Sequence, residues 1–294
     1  MTLGTGKYTY ERVDGWGDLP EGWEWGQVGS VAVDSKDRVY VYTRTDHPLM
    51  IFERDGSFVR SWGEGIVSDA HGICLDAQDN LFLVDRNAQV AVKFTANGDK
   101  VFELGNRDQP SDSGWTDESR TVLRAADPFH HPTDIALSAN GDVYVSDGYR
   151  NARVHKFSAQ GELLFSWGQP GKTGPGEFHV PHGVWVHTDG RVFVADRENN
   201  RIQIFSASGE YLDQWPGLAR PCDIYIDHDN VLYVPELDGF MSILSIDGDI
   251  IATWGSPLDA GWGKGAHAIW VDSHGDLYVN QNVEGHRLVK YLRQ

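Results

Sequence analysis

Three histidines share one position in a repeated pattern. His71, His182 and His267 each stand two residues before the leading aliphatic of a strand-like run, at Ile73, Val184 and Ile269. The same position in three further repeats is held by Gly29, Thr133 and Cys222, so histidine falls on repeats two, four and six. Three neutral imidazoles brought together form a facial tripod that leaves coordination positions open, the donor set of catalytic Zn2+ or another divalent transition metal. Such an ion lowers the pKa of bound water or polarises a substrate oxygen. A lone histidine at the start of a strand more often only satisfies a backbone group. Regular recurrence on alternate repeats favours a site.

A second set of residues follows a different register. Just after the second strand of each repeat the chain reads YTRTDH, VDRNAQ, SDGYRN and ADRENN, which places Arg44, Arg86 and Arg197 alike and Tyr149 one residue later. Arginines clustered beside a metal suit an anion or an oxyanion, and a tyrosine there suits proton transfer. The alternative is that these arginines pair with the neighbouring Asp85, Asp147 and Asp196 to brace the fold.

The elements that must carry these residues are hairpins. VAVDSKDRVYV, ICLDAQDNLFLVD, IALSANGDVYVSD, VWVHTDGRVFVAD, IYIDHDNVLYV and IWVDSHGDLYV are each strand, Asp/Asn/Gly turn, strand. Five of them are followed by two more strands around a second turn, as in VHKFSAQGELLFSWG. Equal four-stranded repeats without helices predict an all-β, six-bladed propeller forming one domain over 1–294. The sixth repeat lacks its fourth strand, and the N-terminal YTYERVDGW has strand character, so it is expected to close the last blade. Alternate blades stand about 120° apart and their innermost strands line a central channel, which aims the three histidines at one axis. The arginines and Tyr149 fall on the same face. The long connections 105–133, 168–182 and 255–267 emerge there as well, and Trp115, Phe129, Phe178 and Trp262 are candidates either to wall a substrate or, for most of them, to pack these loops onto the ring.

Composition narrows the function classes. With 40% hydrophobic and 12% aromatic residues the chain has ample material for a core, and a net charge of -18 argues against nucleic acid or an anionic membrane as partner. No apolar run reaches the roughly 18–20 residues of a membrane span, and MTLGTGKYTYERVDGW lacks a basic head and an apolar stretch, so the cytoplasm is the expected compartment. Cys74 and Cys222 alone provide neither a disulfide framework nor a thiolate zinc site. GxSxG, Walker, Rossmann and HExxH patterns are absent, and the Asp-Gly pairs read as turns rather than calcium loops.

PTDIALSANGDVYVSDGYRNARV and FHVPHGVWVHTDGRVFVADRENNRIQIF closely resemble the peptidyl-α-hydroxyglycine α-amidating lyases among the NHL-repeat propellers, with weaker anchors at YTRTDH, HGICLD and GAHAIWVD. The resemblance implies that His71, His182 and His267 hold zinc, that Tyr149 transfers a proton, and that Arg44 and Arg197 surround the substrate. It implies cleavage of a carbinolamide into an amide and an aldehyde acid. Three departures qualify it. The family disulfide would fall on His131 and Arg150, so that crosslink is missing. Gly265 and Ala268 stand where the family has a methionine and a calcium-assisting aspartate, so a structural Ca2+ is not carried over. Arg86 stands where the lyases have no cation, which points to an added anionic group on the substrate.

The expected function is therefore a metal-dependent lyase acting on a small anionic or carbonyl-containing substrate, with Tyr149, Arg44 and Arg197 as catalytic residues and Arg86 joining Arg44 and Arg197 in binding. The alternatives are a metal-dependent hydrolase of a lactone, amide or cyclic β-diketone, and a non-catalytic NHL-repeat scaffold.

Overall fold

The computed structural model of the chain describes residues 2–255, 265–281 and 287–294. Five four-stranded antiparallel sheets follow one another along the sequence, and within each of them every strand pairs with the next. The third blade comprises Pro132–Leu137, Val143–Asp147, Arg153–Phe157 and Leu163–Trp167, and the fourth Pro181–Val186, Val192–Asp196, Arg201–Phe205 and Tyr211–Pro216. The fold is an all-β, six-bladed β-propeller, and no α-helix occurs among the described residues.

One turn explains why six unlike segments fold alike. In every leading hairpin the fourth turn residue has positive φ: Asp37, Asp79, Gly141, Gly190, Asn230 and Gly275, between 59° and 92°. Glycine, asparagine and aspartate tolerate this left-handed conformation best, so the recurring Asp/Asn/Gly pattern is a backbone requirement. In the first hairpin Asp34 also accepts the amides of Lys36 and Arg38, and Asp76 does the same for Gln78 and Asn80 in the second.

Strand position within a blade sets burial. The second strands Val39–Thr43, Leu81–Asp85, Val143–Asp147 and Val192–Asp196 are buried along their whole length. The outermost strands are largely exposed, as at Leu163, Leu164 and Leu212.

The chain divides into two compact units, 1–70 with 222–294, and 71–221. In the first, Leu3, Tyr10, Tyr233, Ile243, Val279 and Tyr291 form one apolar cluster. In the second, Tyr144, Val154, Phe178, Val184, Val194 and Phe205 form another.

The N-terminal strand closes the last blade as its sequence suggested. Tyr8–Val13 pairs antiparallel with Arg287–Arg293, Tyr10 opposite Arg293 and Val13 opposite Lys290. A further strand, Thr2–Thr5, folds back on Tyr8–Val13 through the Gly6-Lys7 turn and makes this blade five-stranded. That strand was not foreseen, because TLGT is short and interrupted by glycine.

Candidate active site

A β-bulge marks the start of the innermost strands. In the fourth blade Pro181 pairs with Asp196 and Gly183 with Ala195, which leaves His182 as the extra residue. The last blade leaves out His267 in the same way, the third Thr133 and the first Gly29. A bulged residue is freed from the ladder and its side chain is re-aimed, which is why bulges gather at sites. Val180 and His131, each before a proline, have φ of 63°. For a β-branched residue such as Val180 this is a strained backbone, held here because its carbonyl accepts the Arg197 amide at 3.1 Å.

The imidazoles are fixed from behind. His71 Nδ1 lies 2.5 Å from the Thr133 carbonyl, and His267 Nδ1 lies 3.2 Å from the Gly29 carbonyl. A carbonyl only accepts, so Nδ1 carries the hydrogen and Nε2 keeps its lone pair, the tautomer that binds metals. His71, His182 and His267 are all buried. Of the three histidines picked out by the repeat, His71 and His182 lie together in the second unit, their ring centroids 5.1 Å apart, and His267 is held in the first unit beside Gly29.

Tyr149 faces two of them. Its Oη is 3.0 Å from His71 Nε2 and 3.0 Å from His182 Nε2. A phenol has one hydrogen to give, so it cannot donate to both nitrogens at once. Surplus lone pairs converging on one point fit a cation.

Two guanidiniums pack on the Tyr149 ring, with Arg86 Cζ 5.3 Å and Arg197 Cζ 5.4 Å from its centroid. Its position is set by the preceding turn. Asp147 accepts the His130 amide and the Asn151 side chain, both at 2.8 Å. Gly148 passes so close to Pro181 that a Cβ would collide with the Pro181 carbonyl.

The arginines are braced by acids that sequence reasoning passed over. Arg44 Nε donates to the Ala70 carbonyl at 3.0 Å and forms an ion pair with Asp69, 2.6 Å from its carboxylate. Arg197 Nε donates to Glu198 at 2.9 Å, and Arg220 binds the same carboxylate at 2.7 Å. Burial opposes the charge on Glu198, but the guanidiniums of Arg220 and Arg197 outweigh it and hold the carboxyl below its usual range. The signal was available in the sequence, since Asp69 stands two residues before His71 and Glu198 directly after Arg197.

Positive charge dominates the neighbourhood of Arg86. Burial, with the fields of Arg150 and Arg86, pushes His131 down to about 3, so its imidazole stays neutral. Of the positions that would carry the family disulfide, Arg150 bonds to the residue before the other, its amide donating to the His130 carbonyl at 3.2 Å. Phe129 and Phe178 are fully buried packing residues, while Trp115 lies under the Arg150 guanidinium, 3.8 Å from Cζ to the ring. Trp262 and most of the connection before His267 lie outside the described residues.

Comparison with known proteins agrees with this architecture. Residues 129–157 and 178–205 match the NHL repeat. NHL repeat-containing protein 3 of Homo sapiens is 34% identical over 224 residues, covering 72% of this chain. The chain spans 61% of that relative's own length. A probable peptidyl-α-hydroxyglycine α-amidating lyase of Caenorhabditis elegans is 25% identical over 293 residues, covering 88% of this chain and 80% of the relative. Among solved structures, a streptogramin B lyase superposes with a TM-score of 0.64 at 14% identity, over 97% of this chain and 87% of that one, a likeness of fold.

Proposed function

This chain is an NHL-repeat propeller, and from that premise we propose that it is a metal-dependent lyase, cleaving the carbon–nitrogen bond of a small hydroxylated amide. The observation that carries the reading is the pair of buried histidines, His71 and His182, whose Nε2 atoms both face the Tyr149 hydroxyl at 3.0 Å, with His267 buried at the same register of the last blade. The similarity to amidating lyases supports the reaction type.

His71, His182 and His267 would hold zinc or a similar divalent ion, which when bound supplies Lewis acidity toward the substrate hydroxyl oxygen. Arg197 and Arg44, each aligned by a carboxylate, bind the acidic or carbonyl end of the substrate. Tyr149 Oη takes the proton from the carbinol hydroxyl as the carbonyl forms, and returns a proton to the nitrogen that departs with the bonding pair. Arg86 and Arg197 pack on the tyrosine ring and hold it in place. The products are an amide and a carbonyl acid.

The first test is elemental analysis of protein purified without a histidine tag, beside His182→Ala. About one equivalent of a divalent transition metal, lost in the variant, is expected; less than about half an equivalent, unchanged by the substitution, overturns the metal site. Turnover is then measured on α-hydroxyglycine amides, lactones and cyclic β-diketones. Reaction with only the latter two replaces the lyase by a hydrolase, and reaction with none leaves a binding scaffold.

A further inference from the structure

A cavity of about 290 Å3 opens directly beside Tyr149, between the connections that follow the second and third blades. Much of its wall is apolar: Phe178 and Ala152 are buried, and Val122 and Trp115 are half-buried, while Thr121, Asn151 and His179 add polar groups. Arg120 and Lys172 stand exposed at its rim. Neither cationic group is paired among the described residues, although the chain has a net charge of -18. In so acidic a protein, two cations left open beside a reactive residue are available for an incoming anion.

The walls are built rather than incidental. Glu177 accepts the amides of Lys172, Thr173 and Gly174 at 3.1, 3.0 and 2.9 Å, which fixes the loop bearing Lys172. Asn151 holds Ala126 from both sides, accepting its amide and donating to its carbonyl. Two lining residues, Arg120 and Val180, have positive φ without being glycine, at 48° and 63°. Strain of this kind persists where the surroundings fix it, and it gathers at binding sites.

We propose that this cavity receives the arm of the substrate beyond the reacting carbon, an apolar group of about phenyl size ending in a carboxylate that Arg120 and Lys172 meet. The proposal extends the reading of Tyr149 as the proton-transferring residue and rests on it for the direction of the arm. Size sets the limit. At roughly 30 Å3 per water-sized group the cavity holds about ten non-hydrogen atoms, and it lies at the small end of ligand pockets.

The test uses 3-(4-carboxyphenyl)propanamide, which has no carbinol to cleave, so that binding is read apart from turnover. Its dissociation constant is measured by calorimetry on the full-length protein, beside 3-phenylpropanamide and propanamide. The carboxyphenyl compound is expected to bind about tenfold more tightly than the phenyl compound, and both more tightly than propanamide. Val122→Trp fills the cavity and should weaken both aromatic probes at least about tenfold. Arg120→Glu with Lys172→Glu, on the exposed rim, should erase only the advantage of the carboxylate. Equal binding of all three probes, or binding unchanged by these substitutions, overturns the proposal. So does binding lost in His182→Ala but kept in Val122→Trp, which would put the carboxylate on the metal. Failure of the lyase reading shows separately, in the metal content and turnover.

Discussion

Tyr149 Oη lies 3.0 Å from His182 Nε2, and the same oxygen serves His71 at the same distance. The hydroxyl therefore occupies the point on which two imidazole nitrogens converge, on a ring packed by two guanidiniums. Tyr149→Phe removes one oxygen and little volume. Loss of general acid–base chemistry costs about 10²–10⁴ in rate, so kcat on the active substrate class should fall by that range while bound metal stays near the wild-type level. Metal analysis and steady-state kinetics on the same preparation read both quantities; loss of metal would make Tyr149 part of the ligand shell instead.

Gly148 sets where that hydroxyl stands. A methyl group at this position meets the Pro181 carbonyl, one residue from His182, and backbone cannot yield as a flexible side chain would. Gly148→Ala should cost about 1–3 kcal/mol of stability and lower kcat more than it raises KM. Thermal unfolding and kinetics test this, and a variant with wild-type kcat would show that the Tyr149 turn is free to shift.

A buried charge network lies behind the same turn. His155 is fully buried, with Nε2 3.4 Å from Asp147, and with Nδ1 3.4 Å from Asp127 and 2.9 Å from the Ser166 hydroxyl. Arg153 also binds Asp127, at 2.7 Å. Burial works against the imidazolium, but hydrogen bonds and charge from Asp127 and Asp147 raise the net pKa of His155. A raised folded-state value means the stabilisation is fully present below the unfolded histidine pKa of about 6.5 and is lost as pH climbs through the higher folded value. The melting temperature of the wild type should therefore fall as the medium is made more alkaline from about pH 6.5. His155→Gln should melt several degrees lower at pH 6 and show a flatter profile; an equally steep profile would place the titration elsewhere.

The repeat architecture was legible in the sequence because every blade obeys the same local rule. The turn position of Asp37, Asp79, Gly141, Gly190, Asn230 and Gly275 demands residues that accept positive φ, and that demand is written in residue type. The histidine register was legible for a related reason: His182 and His267 sit in bulges at a fixed distance from the hairpin. The supports were harder to read. That Asp69 aligns Arg44, or that Arg86 leans on the Tyr149 ring 63 residues away in sequence, depends on side-chain reach between segments whose spacing follows no period. The cavity beside Tyr149 was hidden for the same reason. Its walls come from the Tyr149 turn and two irregular connections, and on those connections only Trp115 and Phe178 had been marked, Phe178 proving to be buried packing as well as lining.

The pairing of Tyr8–Val13 with Arg287–Arg293 bears on the order of assembly. Five four-stranded sheets are built from contiguous sequence and can form as soon as their own hairpins do. The sheet that carries His267 joins residues from opposite ends of the sequence, and closing so long a loop is an entropic cost met only once the intervening chain is already compact. His267 thereby stands on the blade expected to mature last, so any metal it helps to hold should be taken up in refolding only after the other blades have formed.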